Sequence, residues 1–178
     1  MPLTANGAID PDCFRHVLGR YPTGVVVVTA LAASGAAIGM TVGSFTSVSL
    51  DPPLVAFLPD KNSSSWRALR ESGERFCVNV LSAAQEDVCR AVAMRKTDKF
   101  HDIGWRPSPA GNPVINGAVA WIDCVTEQLH DAGDHQIVIG RVVHLQLGDD
   151  DTPLLFHRGA YGTFTPTDSA ARRRTPTG

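Results

Sequence analysis

The chain has 178 residues, 43% of them hydrophobic, enough for the core of one domain. Its 16 Lys and Arg against 18 Asp and Glu leave a net charge of −2, so no basic field exists for nucleic acid or anionic lipid. The longest apolar run, residues 24–33, is too short and too broken to span a bilayer, and MPLTANGAIDPD has neither the charged nor the apolar region of a signal peptide.

Taken in order, Asp10-Pro11 opens a helix as N-cap and first-turn proline. Phe14, Val17 and Leu18 follow at helical spacing, and Gly19 can end it. Residues 21–24 make a turn. Residues 24–31, GVVVVTAL, are β-branched and unbroken, the pattern of a strand buried on both faces. Ala33-Ser34-Gly35 reads as a hairpin turn, and strands then continue to Leu58. A polar loop, 60–65, leads to a short helix over 66–70, stopped near Ser72-Gly73. Residues 75–81 read as a strand. Ser82 and Gln85 match a capping box, which predicts a helix from about Ala83 to Met94. Its basic end, Arg90, Arg95 and Lys96, suits the negative pole of a helix. Residues 98–101 form a short turn and 106–113 an irregular loop. The last third is β: a strand over 118–129, a turn over 130–134, a strand over 135–147, a turn over 148–153 and a strand over 154–157. The tail from Thr165, TPTDSAARRRTPTG, has the composition of a disordered end, which leaves 1–164 as the domain. Short turns between strands, with helices inserted, predict a mainly β fold. The expected form is a closed or nearly closed antiparallel barrel with helical additions, not a doubly wound parallel sheet.

The richest stretch chemically is 37–53, AIGMTVGSFTSVSLDPP. Thr41, Ser44, Thr46, Ser47 and Ser49 supply hydroxyls, and Gly39 and Gly43 let backbone amides be approached. These are hydrogen-bond partners for a phosphate or a polyol chain. In a regular strand Ser44 and Thr46 face one way and Ser47 and Ser49 the other. They converge only where the chain bends or bulges, which Gly43 permits. Composition alone fits a solvent-facing edge strand as well, and favours it. The Ser/Asn-rich start of the second helix could also accept an anion, although plain helix capping is the favoured reading without other support. No dinucleotide, P-loop or nucleophile-elbow motif occurs. HDAGDH, 130–135, could ligate a metal through its histidines and aspartates, but no further ligand recurs at a recognisable spacing. His135 shares parity with Ile137 and Ile139. It is therefore either satisfied by Asp134 or a carbonyl, or a donor at a cleft mouth. Arg158-Gly159-Ala160-Tyr161-Gly162 offers stackable side chains flanked by glycines. Cys13, Cys77, Cys89 and Cys124 lie in apolar or helical contexts without disulfide or zinc spacing, and read as reduced thiols of a cytoplasmic protein.

Taken together, PTGVVVVT (22–29), IGMTVGSFTSVSLDPPLV (38–55), FCVNVLSAAQ (76–85), DKF (98–100), GDH (133–135), IGRV (139–142) and PLLFHRGAYG (153–162) resemble the flavin reductase family. This is the NAD(P)H-dependent component of two-component flavin monooxygenases. The pieces stand in family order over roughly residues 10–164. The resemblance implies a split-barrel fold and a homodimer with flavin, FMN or FAD, near the interface. By the same resemblance Ile38, Gly39, Met40, Thr41, Ser44, Thr46, Ser47, Val48 and Ser49 contact the flavin's ring edge, ribityl chain and phosphate. Leu58, Pro59, Asp60, Ser64 and Ser65 line its other side, and Lys99 and Phe100 are candidates for a phosphate or adenine contact. Asp134, His135, Tyr161 and Arg158 match positions that receive NADH or NADPH. Two places depart from the family pattern: Gly43, where a larger polar residue is common, and Ala91-Val92-Ala93, which lack a Phe. The implied reaction is hydride transfer to flavin, with His135 assisting nicotinamide positioning, no side-chain base required, and reduced flavin passed to a separate oxygenase. The alternatives are a flavin-binding protein without reductase activity, an oxidase that keeps its flavin, or a plain β-barrel interaction module.

Overall fold

The computed structural model describes residues 4–5, 8–95, 97–149 and 152–167. Most of the tail expected from Thr165, and Lys96 at the basic helix end, lie outside the described residues. A two-residue pairing of β1 (Thr4–Ala5) with β2 (Ala8–Ile9) precedes α1 (Pro11–Leu18). Asp10 caps α1 by accepting from the Asp12 N–H, with Pro11 in its first turn, as the sequence predicts. β3 (Thr23–Gly24) leaves the main sheet to pair with a C-terminal strand.

β4 (Val26–Leu31) shows why the valine run is apolar on both sides. Val26, Val28 and Ala30 pack in the barrel with Met40, Phe57 and Phe76. Val25 and Val27 join the outer cluster of Cys89, Val92, Phe100 and Ile115. Next come β5 (Ala37–Val42), β6 (Thr46–Leu50), β7 (Pro53–Phe57), α2 (Ser64–Glu71) and β8 (Arg75–Val80). Ser63 caps α2 through the Trp66 N–H. The helix expected from Ala83 begins as a 3-10 turn, Ala83–Gln85, and continues as α3 (Glu86–Met94). The Gln85 side chain accepts from the Ser82 N–H and donates to the Asn116 carbonyl, so the predicted capping residue also ties down a distant loop.

Two expectations are corrected. Residues 106–113 are not wholly irregular: β9 (Trp105–Pro107) pairs with β10 (Pro113–Ile115). That hairpin is held by the buried side chains of Thr29 and Asn79, which bond to the Pro113 carbonyl and the Ile115 N–H. Nor is 130–134 all turn. β11 (Ala120–Ala132) and β12 (His135–Leu147) run on to a two-residue turn, Gly133-Asp134, where Gly133 takes φ +64°. β13 (Leu154–His157) and β14 (Ala160–Thr163) close the chain as a second hairpin, with β3 on the far side of β13.

The main sheet has seven strands in the order β5-β4-β8-β11-β12-β7-β6, all neighbours antiparallel. It curls around one apolar core, and the barrel is nearly rather than fully closed: β5 and β6 are its two edges. Among the described residues no helix is long and apolar enough to cross a membrane.

One close contact tests this packing. A Cβ on Gly140 would sit 2.5 Å from Phe76 Cζ and 3.2 Å from Cys124 Cβ. Phe76 is itself buried against Phe57, ring centroids 5.5 Å apart. Gly140→Ala should therefore lower unfolding free energy by about 1–3 kcal/mol, read as a shift in denaturant midpoint. An unmoved midpoint would mean that the Phe76 ring gives way freely.

Candidate functional site

The opening in the sheet lies within one stretch of chain. Among the described residues β5 pairs only with β4 and β6 only with β7, and residues 43–45 carry the chain from one free edge to the other. Free strand edges present backbone N–H and C=O groups to whatever lies beside them. The bend that the hydroxyl-rich segment requires is present. Regular pairing stops at Val42, resumes at Thr46, and slips again between Ser47 and Ser49.

The hydroxyls are not all free. Ser44 Oγ accepts from the Leu58 N–H at 3.0 Å and is 3.3 Å from the Leu58 carbonyl, stapling the bend to the end of β7. Thr41 donates to the Cys89 carbonyl, and Thr46 to the Ser47 carbonyl. Met40 is buried and Ile38 packs against the same barrel core, so these two offer backbone rather than side chain. Thr46, Ser47 and Val48 are exposed and Ser49 half-buried.

Along the outer face of β5 runs a groove of about 320 Å³, lined by Ile38, Gly39, Ser64, Ser65, Asp98 and Lys99 among others. One wall is the first turn of α2, whose free N–H groups favour an anion. Lys99 Nζ donates to Ser65 Oγ and to the Val92 carbonyl, both at 2.7 Å, and burial holds its pKa below the ordinary lysine value. Phe100 is buried beneath the groove and does not line it. A Cβ on Gly39 would meet its ring at 3.0 Å, so the glycine and the phenyl group fit one another. Phe100 thus anchors the turn that presents Lys99.

At the other end of β5, Thr23, Thr41, Gly43, Cys89, Phe156 and Tyr161 line a smaller pocket of about 180 Å³. Tyr161 Oη lies 3.1 Å from Cys89 Sγ, and that bond, with burial, pushes the phenol up to about 12. It stays a neutral hydroxyl at physiological pH. The Arg90 guanidinium sits 4.8 Å from the Tyr161 ring centroid and is held by Glu86 at 2.7 Å.

A third group forms where residues 58–60 meet the start of β12. Asp60 and His135 are bridged through their backbones, and the Gln136 N–H donates to the Pro59 carbonyl. His135 Nδ1 lies 2.7 Å from Asp134 Oδ1, and this bond holds the Asp134 carboxyl below its usual range. A carboxylate on Nδ1 favours the proton there and leaves Nε2 for another partner. The remaining polar groups of HDAGDH are engaged as well: His130 with Gln128, and Asp131 with Lys61 and Gln136.

Free strand edges, a cation over a helix start, and hydroxyls beside an apolar wall are the kinds of group that bind phosphate, polyol and ring. Residues 18–165 match the family described as flavin reductase like domain. The chain belongs to this family. It is 56% identical over 157 residues to a flavin reductase of Pseudomonas putida, covering 88% of this chain and 92% of that one. It is 46% identical over 159 residues to the flavin-dependent monooxygenase reductase subunit HsaB of Rhodococcus jostii, covering 89% and 80%. Among solved structures, the NADH:FAD oxidoreductase SgcE6 of Streptomyces globisporus, in complex with NAD and FAD fragments, superposes with a TM-score of 0.82 at 36% identity, covering 90% of this chain and 98% of that one. The structural neighbours in this family share the split-barrel fold expected here.

Within that family frame the expected residues divide. Ile38, Gly39, Ser64, Ser65 and Lys99 share the groove, and Thr41 and Tyr161 share the smaller pocket. Pro59, Asp60, Asp134 and His135 form the third group, with Leu58 at its entrance through Ser44. Arg158 lies elsewhere. It turns the β13–β14 hairpin at φ +54°, donates its N–H to the Gly19 carbonyl, and faces the end of α1. Sequence reasoning missed Asp98, Cys89 and Thr23 as lining residues, although DKF and PTG contain two of them. The two departures also have structural counterparts. Thr23 Oγ1 lies 2.8 Å from where a Cβ on Gly43 would be, so the threonine fills the space of a larger residue. The Val92 carbonyl, within the segment that lacks the family's Phe, holds Lys99.

Proposed function

We propose that the chain is an NAD(P)H:flavin oxidoreductase that supplies reduced flavin to a separate monooxygenase. The observation that carries this reading is the open sheet edge of β5, backed by Ser64, Ser65 and Lys99 in one groove. Those residues fit a flavin: an ammonium and helix N–H groups for phosphate, edge amides for the ring, and hydroxyls for the polyol. When bound, the two nucleotides supply hydride transfer from nicotinamide to the flavin ring, with any proton available from solvent. The protein's part is to hold and orient. Lys99 fixes the phosphate end, and the β5 edge with residues 46–49 holds the chain and ring. His135 directs Nε2 towards a carboxamide, with Asp134 keeping the imidazole in place. The neutral Tyr161 hydroxyl and its ring, braced by Arg90, wall the second nucleotide's approach.

A homodimer that brings one subunit's histidine towards its partner's groove would complete the site. Supporting this, β12 extends beyond the start of β7, and Leu145, Leu147 and Leu50 are 69%, 80% and 95% exposed. Apolar area of this kind is what a permanent interface covers. The four free thiols fit a cytoplasmic location.

Added FMN or FAD should stimulate NADH or NADPH oxidation by the purified chain. A tightly yellow protein with no such turnover would favour a flavin-binding protein or oxidase, and absent flavin affinity an interaction module. His135→Ala should raise the KM for NADH roughly tenfold, the worth of about one hydrogen bond, while the flavin Kd stays nearly unchanged. Equal losses in both would remove His135 from the nicotinamide site.

A further inference from the structure

A cavity of about 290 Å³ opens on the other face of α2 from the groove lined by Ser64, Ser65 and Ala68, and the flavin reading makes no use of it. Its walls are Val28, Phe57, Trp66, Leu69 and Phe76, all buried. Those walls are pre-formed. Phe57 meets Trp66 and Phe76 edge-on, at centroid distances of 5.8 and 5.5 Å, and Trp66 Nε1 is fixed by Gln136 Oε1 at 2.9 Å. The rim is polar: Arg70, Glu74, Arg75 and Thr126. Among the described residues neither arginine forms an ion pair; Arg70 only adds to the field at Asp131, whose carboxylate already takes Gln136 and Lys61. Two guanidinium groups against one carboxylate leave the mouth positive above an aromatic floor.

We infer that this cavity binds a small carboxylic acid with a ring or branched apolar body. The apolar part enters between Phe57, Phe76 and Leu69, and the carboxylate meets Arg70 and Arg75 at the mouth. Guanidinium groups suit a carboxylate in particular, because their paired donors match its two oxygens. The volume, near the lower limit for ligand sites, suits a single ring. The site is independent of flavin binding, so its test reads binding rather than turnover.

The probe is benzoate, titrated into the full chain by calorimetry with saturating FMN present. Saturable binding at one site per chain is expected, with Kd on the order of 1 mM. Benzamide, isosteric but neutral, should bind roughly tenfold more weakly, and Arg75→Gln should cost benzoate about the same factor. Thr126→Trp, which blocks the mouth, should abolish binding. Leu129→Trp narrows the same mouth and replaces it if that variant does not fold. Absence of saturable binding, displacement of benzoate by FMN, equal affinity for benzamide, or binding undiminished by a blocked mouth would each overturn the assignment.

Discussion

Replacing Lys99 by alanine is expected to weaken FMN binding by roughly ten- to a hundredfold and to leave riboflavin binding almost unchanged. The factor follows from the worth of a hydrogen bond to a charged group, about 1.5–3 kcal/mol, at about 1.4 kcal/mol per tenfold. Among the described residues Lys99 is the one cationic side chain lining the groove, and its ammonium already stands beside Ser65 and the first turn of α2. Riboflavin lacks the phosphate, so it separates loss of charge from distortion of the groove. Fluorescence titration of both ligands measures the difference. An equal loss for the two would show that Lys99 acts through its bonds to Ser65 and Val92, not on the ligand. The same group sets a pH dependence. Burial favours the neutral amine, so in the free protein the ammonium is lost at a lower pH than in an ordinary lysine. FMN affinity should therefore fall as pH rises towards that range, and the fall should vanish in Lys99→Ala.

The largest effect on stability is expected at Asn79. Its side chain is fully buried, donates to the Val27 carbonyl and to Thr29 Oγ1, and accepts the Ile115 N–H at 2.8 Å. Leucine at 79 has similar bulk but leaves that N–H without a partner inside an apolar cluster. The cost should be about 3 kcal/mol or more, because each stranded buried polar group forfeits its full desolvation penalty. Denaturant unfolding measures it, and hydrogen exchange should show the Ile115 amide opening first. A loss below about 1 kcal/mol would mean that the hairpin of β9 and β10 finds other partners. This hairpin packs beside the cluster that contains Phe100 and Val92, so the variant also probes how far groove geometry depends on the core.

Much of this architecture was legible because local chemistry and global fold agree. The Asp10-Pro11 start of α1, the Ser82/Gln85 cap and the doubly buried valine strand are each specified by a few neighbouring residues. The β9–β10 hairpin was not legible, since Asn79 and Thr29, its anchors, stand far away in sequence and look like ordinary polar interruptions of a strand. The turn at Gly133-Asp134 was overestimated, because polar residues can occupy a paired ribbon when they find partners: His130 bonds to Gln128 along its own strand, and Asp131 to Gln136 across the ribbon and to Lys61 beyond it. At the site, the hydroxyl-rich segment was legible as a set of hydrogen-bonding groups, but not that Ser44 is committed to Leu58 or that Met40 turns into the barrel. Those assignments depend on which face of a bent strand meets the core, and a slip of one residue reverses them.

The most direct test is the structure of this chain with FMN bound. The phosphate should lie within hydrogen-bond reach of Lys99 and the Ser64–Ser65 turn, with the ring along the free edge of β5. Ligand seated away from that groove, or the β5 edge left facing water at saturating FMN, would contradict the account.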